Sequence, residues 1–386
     1  MRRSSSSTGR RPVLLTNSHS NRPEYLYCYL RSAGVLDGVY FEEGLNYPPN
    51  SLVYPYKVGC AVMPGAAPLV VTRVAEGIPT VAMLKSALAE GVAFGGYFTP
   101  WGFYIHESDE LVEAVRQYNE FFTEHEEMLA AQTDLANVAV IQSLTSDIFY
   151  WQRRHAAAEY MGVLLTDMHV PFELLPAENG LDAKRLGKYT LLILPNMGLV
   201  SDTEMATYLA YLDAGGKIVA TGDEALCFDE TMQRRERRPE HKNLFYVGGC
   251  EEKEHANDRI VGPDYFCRFA ESGGKLAQTI RKHATPPMLE TNARVSTAIN
   301  LTESDTEILV HMVNLHVNMR LTQLFIRPDR NVRLRVRMPD RVRGADLLTP
   351  DIEGGAQTLD FTQDGDWVEL AVPEITHYAI IRLRKV

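Results

Sequence analysis

The chain has 386 residues, 45% of them hydrophobic and 23% charged, which suffices for two or three packed domains of ordinary globular composition. A formal net charge of −11 repels a phosphate backbone, so no nucleic-acid partner is expected, whereas a neutral ligand such as a sugar meets no such objection. Five cysteines without a CxxC pair read as reduced thiols of a cytoplasmic protein, with no zinc site among them.

The opening MRRSSSSTGRR (1–11) is basic and Ser-rich and reads as a disordered tail. The VLL that follows is too short for a signal peptide, and no stretch approaches the ~20 apolar residues of a membrane span. PVLLTNS (12–18) then reads as a strand and PEYLYCYLRSAG as a helix stopped by Gly34. GVYFEEG is a second strand. Beyond a Pro-rich loop, TVAMLKSALAEG reads as a helix and VAFGGYFTPWGFY as a third strand. In DELVEAVRQYNEFFTEHEEML, Leu111, Val115, Tyr118 and Phe122 recur at helical spacing. Such alternation builds a parallel sheet or barrel, so 12–133 is expected to form a partial (β/α) barrel of about three strands.

The second segment, 134–290, is expected to be a doubly wound, flavodoxin-like α/β domain. ANVAVIQS, FELLP, TLLILPN and KIVATGD are its strands, and TLLILPN has the apolar character of a strand buried on both faces. SDTEMATYLAYLDAGG opens with a capping-box pattern, Ser201 and Glu204, and stops at Gly215–Gly216. The layout also resembles class I glutamine amidotransferases, which need a cysteine on the strand-to-helix elbow. Here NMGLVSD follows TLLILP with Met197 and no cysteine, so that chemistry is not expected.

From 291 to 386 short alternating runs, among them EILVHMVNL, VRLRVRM, WVELAV and YAIIRLRKV, predict a small antiparallel β-sandwich. In VRLRVRM, Arg333, Arg335 and Arg337 form a cationic ladder, read either as a solvated face or as a site for an acidic partner. The fold class is thus α/β plus β. No GxGxxG, Walker A or HExxH pattern occurs, so no cofactor or metal is expected.

The order of these pieces resembles the β-galactosidases of glycoside hydrolase family forty-two. ALAEGVAFGGYFTPW is similar to that family's last barrel strand. YTLLILPNMGLVSDTEMATYLAYLDAGGKIVATGD looks like its trimerisation domain, and EILVHMVNL like a strand of its C-terminal β domain. The resemblance implies a sugar of galactoside type as substrate and a homo-oligomer, a trimer being one form. It implies two catalytic glutamates, an acid/base after barrel strand four and a nucleophile after strand seven, on the loops where barrel sites sit. Counting back over three strands makes GVYFEEG the seventh, which puts Glu42 or Glu43 near the nucleophile position. A chain that starts near strand six lacks the acid/base, so the alternative is a non-catalytic remnant or subunit serving assembly.

Read from the residues alone, Glu42 and Glu43 are either a catalytic pair of candidates or a solvated strand end. Adjacent strand residues point to opposite faces, so at most one of the two faces the mouth. Trp101, Phe103, Tyr104 and His106 are either an aromatic platform for a sugar, with His106 as a further acid/base, or core and interface aromatics. Asn17, His19, Asn21 and Arg22 either hydrogen-bond sugar hydroxyls or cap the following helix.

Overall fold

In the computed structural model of the chain, the described residues are 13–20, 22–32, 35–44, 52–65, 67–73, 80–102, 105–149, 157–248, 274–315, 326–352 and 356–386. The expected tail at 1–11 lies outside them.

The first part runs β1 (Leu15–Ser18), α1 (Pro23–Arg31), β2 (Gly38–Gly44), α2 (Val53–Val62), β3 (Leu69–Arg73), α3 (Val81–Ala93), β4 (Tyr97–Gly102) and α4 (Asp109–Glu124). Its four strands form one parallel sheet in the order β1-β2-β3-β4, with no closure into a barrel among the described residues. The expectation of about three strands is therefore one short: α2 and β3 occupy the stretch read as a Pro-rich loop. Nine of the ten residues of α2 are buried, so it carries no polar stripe and no helical period to read. Pro55 sits in its first turn, where a missing N–H costs nothing. The count also changes. β2 is third from the last strand of this sheet, and β3 takes the place that a count over three strands gave to GVYFEEG.

Among the described residues the helices pack against one face of this sheet. Val39, Phe41, Val70 and Phe98 are buried against them, and Tyr29 of α1 meets Phe41 edge-on at 5.8 Å. At Gly59 a Cβ would lie 2.5 Å from Pro68 and 3.1 Å from the Phe41 ring, so only glycine lets α2 this close to the sheet. The other face carries Leu15 and Asn17, Tyr40 and Glu42, Leu69 and Val71, Tyr97 and Thr99, in register across the four strands.

After α5 (Glu126–Ala130) and β5 (Thr133–Asp134), the second part comprises β6 (Val138–Gln142), α6 (Leu144–Phe149), α7 (Ala157–Asp167), β7 (Phe172–Pro176), α8 (Ala183–Leu186), β8 (Leu191–Leu194), α9 (Asp202–Asp213), β9 (Lys217–Thr221), β10 (Leu244–Val247) and α10 (Gly274–His283). Its parallel sheet has the order β10-β9-β8-β6-β7, the 2-1-3-4-5 arrangement of the doubly wound flavodoxin-like sheet. Ser201 and Glu204 form the expected capping box on α9. Gly215 ends that helix at φ 97°, and a Cβ on Gly216 would lie 2.3 Å from the Tyr211 ring. The elbow after β8 is Asn196, at φ 46°, followed by the buried Met197.

The third part is a sandwich of β11 (Leu289–Thr291), β12 (Thr297–Glu303), β13 (Glu307–Asn314), β14 (Asp329–Arg337), β15 (Val342–Leu348), β16 (Ala356–Leu359), β17 (Phe361–Asp364), β18 (Trp367–Ile375) and β19 (Tyr378–Lys385). The sheet β11-β14-β18-β17 faces the sheet β16-β15-β19-β13-β12-β5 across its own apolar core. Two of the three ladder arginines are paired with carboxylates on neighbouring segments. Arg335 binds Glu369 at 2.5 Å and Glu290 and lies over the Trp367 ring, while Arg337 reaches Asp366.

The three parts share a core. Val138, Val140, Leu191 and Val219 of the flavodoxin-like sheet pack with Leu26, Tyr56 and Leu84 of the barrel part and with Leu309, Val313 and Tyr378 of the sandwich. One pin of this joint is Asp351, which follows β15. It accepts the backbone N–H of His377 and Tyr378 (2.9 and 3.1 Å), the His377 ring N–H (3.0 Å) and the Tyr118 hydroxyl of α4 (3.0 Å). Burial alone pushes the Asp351 carboxyl up, but the His377 ring and the two amides outweigh it and hold the carboxyl below its ordinary value. Asp351→Ala strands these donors and should cost about 3 kcal/mol in urea unfolding at neutral pH. The unfolded state binds this proton first on acidification, so the difference between wild type and variant should shrink as the pH falls below ~4. A cost under about 1 kcal/mol would refute this role.

Candidate functional site

The C-terminal ends of β1 and β2 bring Asn17, His19 and Glu42 together. Register and alternation put Asn17, Tyr40 and Glu42 on the helix-free face, because their neighbours Ser18, Val39 and Phe41 are buried toward the helices. The Asn17 amide donates to Glu42 Oε2 at 3.1 Å. His19 Nδ1 bonds the Glu42 backbone carbonyl. A carbonyl only accepts, so Nδ1 is the donor in this bond. Tyr40, two residues before Glu42, has its hydroxyl pKa raised by burial and then by the Glu42 charge. The group is fixed from behind by Tyr29 of α1, whose hydroxyl donates to the Thr16 carbonyl at 2.7 Å and accepts from Ser18 at 2.8 Å.

Such a group holds one carboxylate in a set orientation, offers amide and imidazole partners for hydroxyls, and lies at the strand ends where (β/α) sheets carry their sites. Asn17 and His19 do not cap the helix: the N-cap of α1 is Arg22, which makes no side-chain cap bond. Both reach across to β2 instead. Glu43 lies on β2 and Trp101 on β4, but the side chains of both lie outside the described residues, as do Asn21, Phe103 and Tyr104 altogether. His106 is exposed on the short 3-10 turn Ile105–Glu107, between β4 and α4.

Two ionisable side chains of this part, Glu90 and Lys57, are buried. Glu90 of α3 is buried near Tyr56 of α2, and desolvation raises the pKa of its carboxyl well above the ordinary value. Its place in the helix layer keeps it from the mouth. Lys57 of α2 is 2% exposed and binds Asp134 of β5 at 2.8 Å and Asn300 of β12 at 3.0 Å, joining the first part to the sandwich sheet. Its only sequence signal is a lone lysine within an apolar run, VYPYKVGCAV.

A parallel sheet followed by a flavodoxin-like sheet and a β-sandwich is an arrangement this chain shares with solved glycoside hydrolase structures. Three solved structures carry this statement. The β-galactosidase from Bacillus circulans sp. alkalophilus matches with a TM-score of 0.63 and 12% identity, over 96% of this chain and 63% of that one. A GH42 β-galactosidase from G. stearothermophilus matches with a TM-score of 0.62 and 10% identity, over 92% and 61%. The α-L-fucosidase isoenzyme 2 from Paenibacillus thiaminolyticus matches with a TM-score of 0.59 and 14% identity, over 94% and 71%. At these identities the likeness is one of fold, and the chain spans just over three fifths of the two β-galactosidases. No family model matches the sequence, and no curated protein matches it either. Among the described residues no helix is long and apolar enough to cross a membrane.

Proposed function

We propose that the chain takes a galactoside-type sugar at the ends of β1 and β2, with Glu42 as the carboxylate that contacts it. The observation that carries this reading is the Asn17–Glu42 bond on the helix-free face, with the His19 ring fixed beside it. Asn17 and His19 supply hydroxyl contacts, and Trp101, Tyr104 and His106 are the proposed platform for the pyranose. Hydrolysis with retention needs two carboxyls about 5–5.5 Å apart, one to attack the anomeric carbon and one to protonate the leaving oxygen. Glu42 is one of them, and Glu43 is the competing candidate for the same role. The strand count weakens an assignment of either as nucleophile, since the resemblance expects that group after the last strand but one.

The test is a panel of aryl glycosides, β-galactoside included, run on wild type, Glu42→Gln and Glu43→Gln. Turnover should fall at least about a hundredfold in Glu42→Gln and stay within about threefold in Glu43→Gln. Equal turnover in Glu42→Gln and wild type would sink the assignment. A second reading, a subunit that binds sugar or serves assembly without turnover, is supported by the open four-stranded sheet. Calorimetric binding of galactose without turnover selects it. Neither binding nor turnover removes the sugar site altogether.

A further inference from the structure

The sandwich has two buried faces of different chemistry. Along β12 and β13 the side chains alternate. Ile299, Leu301, Val310 and Met312 enter the apolar core between the two sheets. Asn300, Thr302 and His311 lie on the opposite side, with Leu309 and Val313, which pack with the first part. Helices α3 and α4 cover that side. Ser86 of α3 donates to the Asn314 carbonyl at 3.0 Å, and Phe121 and Phe122 of α4 meet the Tyr378 ring edge-on at 6.3 and 6.2 Å.

His311 sits in the middle of this joint, 2% exposed. Its ring meets two hydroxyls, Tyr378 of β19 and Thr302 of β12, and among the described residues no carboxylate binds it. Two charges face it, Asp134 of β5 and Lys57 of α2, and these already bind each other at 2.8 Å. The other ionisable groups around the joint are engaged elsewhere. Lys85 of α3 lies 3.7 Å from Asp351, Glu90 of α3 is near Tyr56, Tyr118 of α4 donates to Asp351, and Arg382 of β19 binds Glu307 at 2.6 Å. A proton on His311 therefore adds a cation beside Lys57 with no anion left to receive it. The joint to the flavodoxin-like part also holds a histidine. His169 Nε2 lies 3.1 and 3.0 Å from the carbonyls of Arg294 and Thr297. Desolvation lowers the pKa of His169 as well, those two carbonyls and Asp329 opposing and Arg281 adding to it.

We infer that acid releases the sandwich from the other two parts as a folded unit, with His311 as the leading group whose protonation opens the joint. The core between its own sheets consists of Val, Leu, Ile, Met and Ala side chains, which take up no proton and stay packed when the joint fails. The sign follows from burial. The released ring binds its proton near pH 6.5 and the docked ring at about 4, so docking is at full strength above pH 6.5 and weakens below it. His311 alone lowers the docking constant roughly twentyfold between pH 7 and pH 5 and roughly a hundredfold by pH 4.

Calorimetry and small-angle scattering on the full chain test this. At pH 7 wild type should melt in one transition. At about pH 4.5 it should melt in two, with a larger radius of gyration and an unchanged far-UV spectrum. His311→Gln should move the midpoint of that expansion down by about one pH unit. The His311 ring of wild type, followed by NMR, should gain its proton over the interval in which the radius grows, a readout that holds even where the variant fails to fold. One transition with an unchanged radius at about pH 4.5 overturns the inference, and so does expansion that takes the far-UV signal with it. Expansion of His311→Gln at the wild-type midpoint, or protonation of the ring without expansion, overturns it too. Asn17, His19 and Glu42 lie outside this joint, so sugar binding at pH 7 should be equal in wild type and His311→Gln.

Discussion

Lys57→Ala should lower the stability of the chain by about 3 kcal/mol, the same size of effect as expected of Asp351→Ala. The Lys57 ammonium is 2% exposed and is shared between Asp134 (2.8 Å) and Asn300 (3.0 Å). Asn300 in turn donates to the Ala93 carbonyl and to Asp134, so all four groups depend on one another. Removing the ammonium leaves Asp134, 29% exposed, without its counter-charge, and the Asn300 oxygen without its donor. The stem is lost as well, and with it contact near the Phe94 and Phe172 rings, each 5.7 Å from the nitrogen. Lys57→Met should therefore recover part of the loss, since it restores the stem and not the charge. Urea unfolding of both variants measures this. A cost below about 1 kcal/mol for Lys57→Ala would mean that the pair offsets only its own desolvation.

The second large effect is an acid limb in the stability profile set by His311. This residue of β13 is buried between the sandwich and the helices, its ring bonded to the Tyr378 hydroxyl at 2.8 Å and the Thr302 hydroxyl at 3.2 Å. Burial lowers its pKa to about 4; the nearby Asp134 charge opposes that shift and the Lys57 charge adds to it. The unfolded chain takes up this proton near pH 6.5, while the folded chain resists until about pH 4. Stability is thus fully present above pH 6.5 and is lost as the pH falls toward 4, by about 2 kcal/mol between pH 7 and pH 5. His311→Gln keeps a hydrogen-bonding side chain without the titration and should flatten that interval. Parallel profiles for wild type and variant would rule His311 out as the source.

The flavodoxin-like part was legible because its cues are local. Its strands are short apolar runs, and Ser201, Glu204 and the two glycines after α9 mark that helix at both ends. The barrel part was legible only in places. β1, β2 and β4 could be read, but α2 and β3 could not, because a helix buried on all sides has no amphipathic period and Pro55 reads as a breaker. That one omission shifted the strand count, and with it the place of Glu42 in the resembled site. Asn17, His19 and Glu42 were each singled out from the sequence, yet their meeting was not. Asn17 and Glu42 are 25 residues apart and touch only because β1 and β2 pair in parallel with Asn17 opposite Tyr40.

By itself the sequence determined the classes of element and their order: strand–helix alternation, then a doubly wound sheet, then antiparallel strands. Periodicity and capping act over a few residues, so they are written where they act. Tertiary structure decided the rest: which face Glu42 takes, that Lys57 is a buried joint and not a surface charge, and that α2 and β3 add a fourth strand to the first sheet among the described residues. Each depends on which distant segments pack together, and a lysine or a strand carries no local mark of what will be set against it.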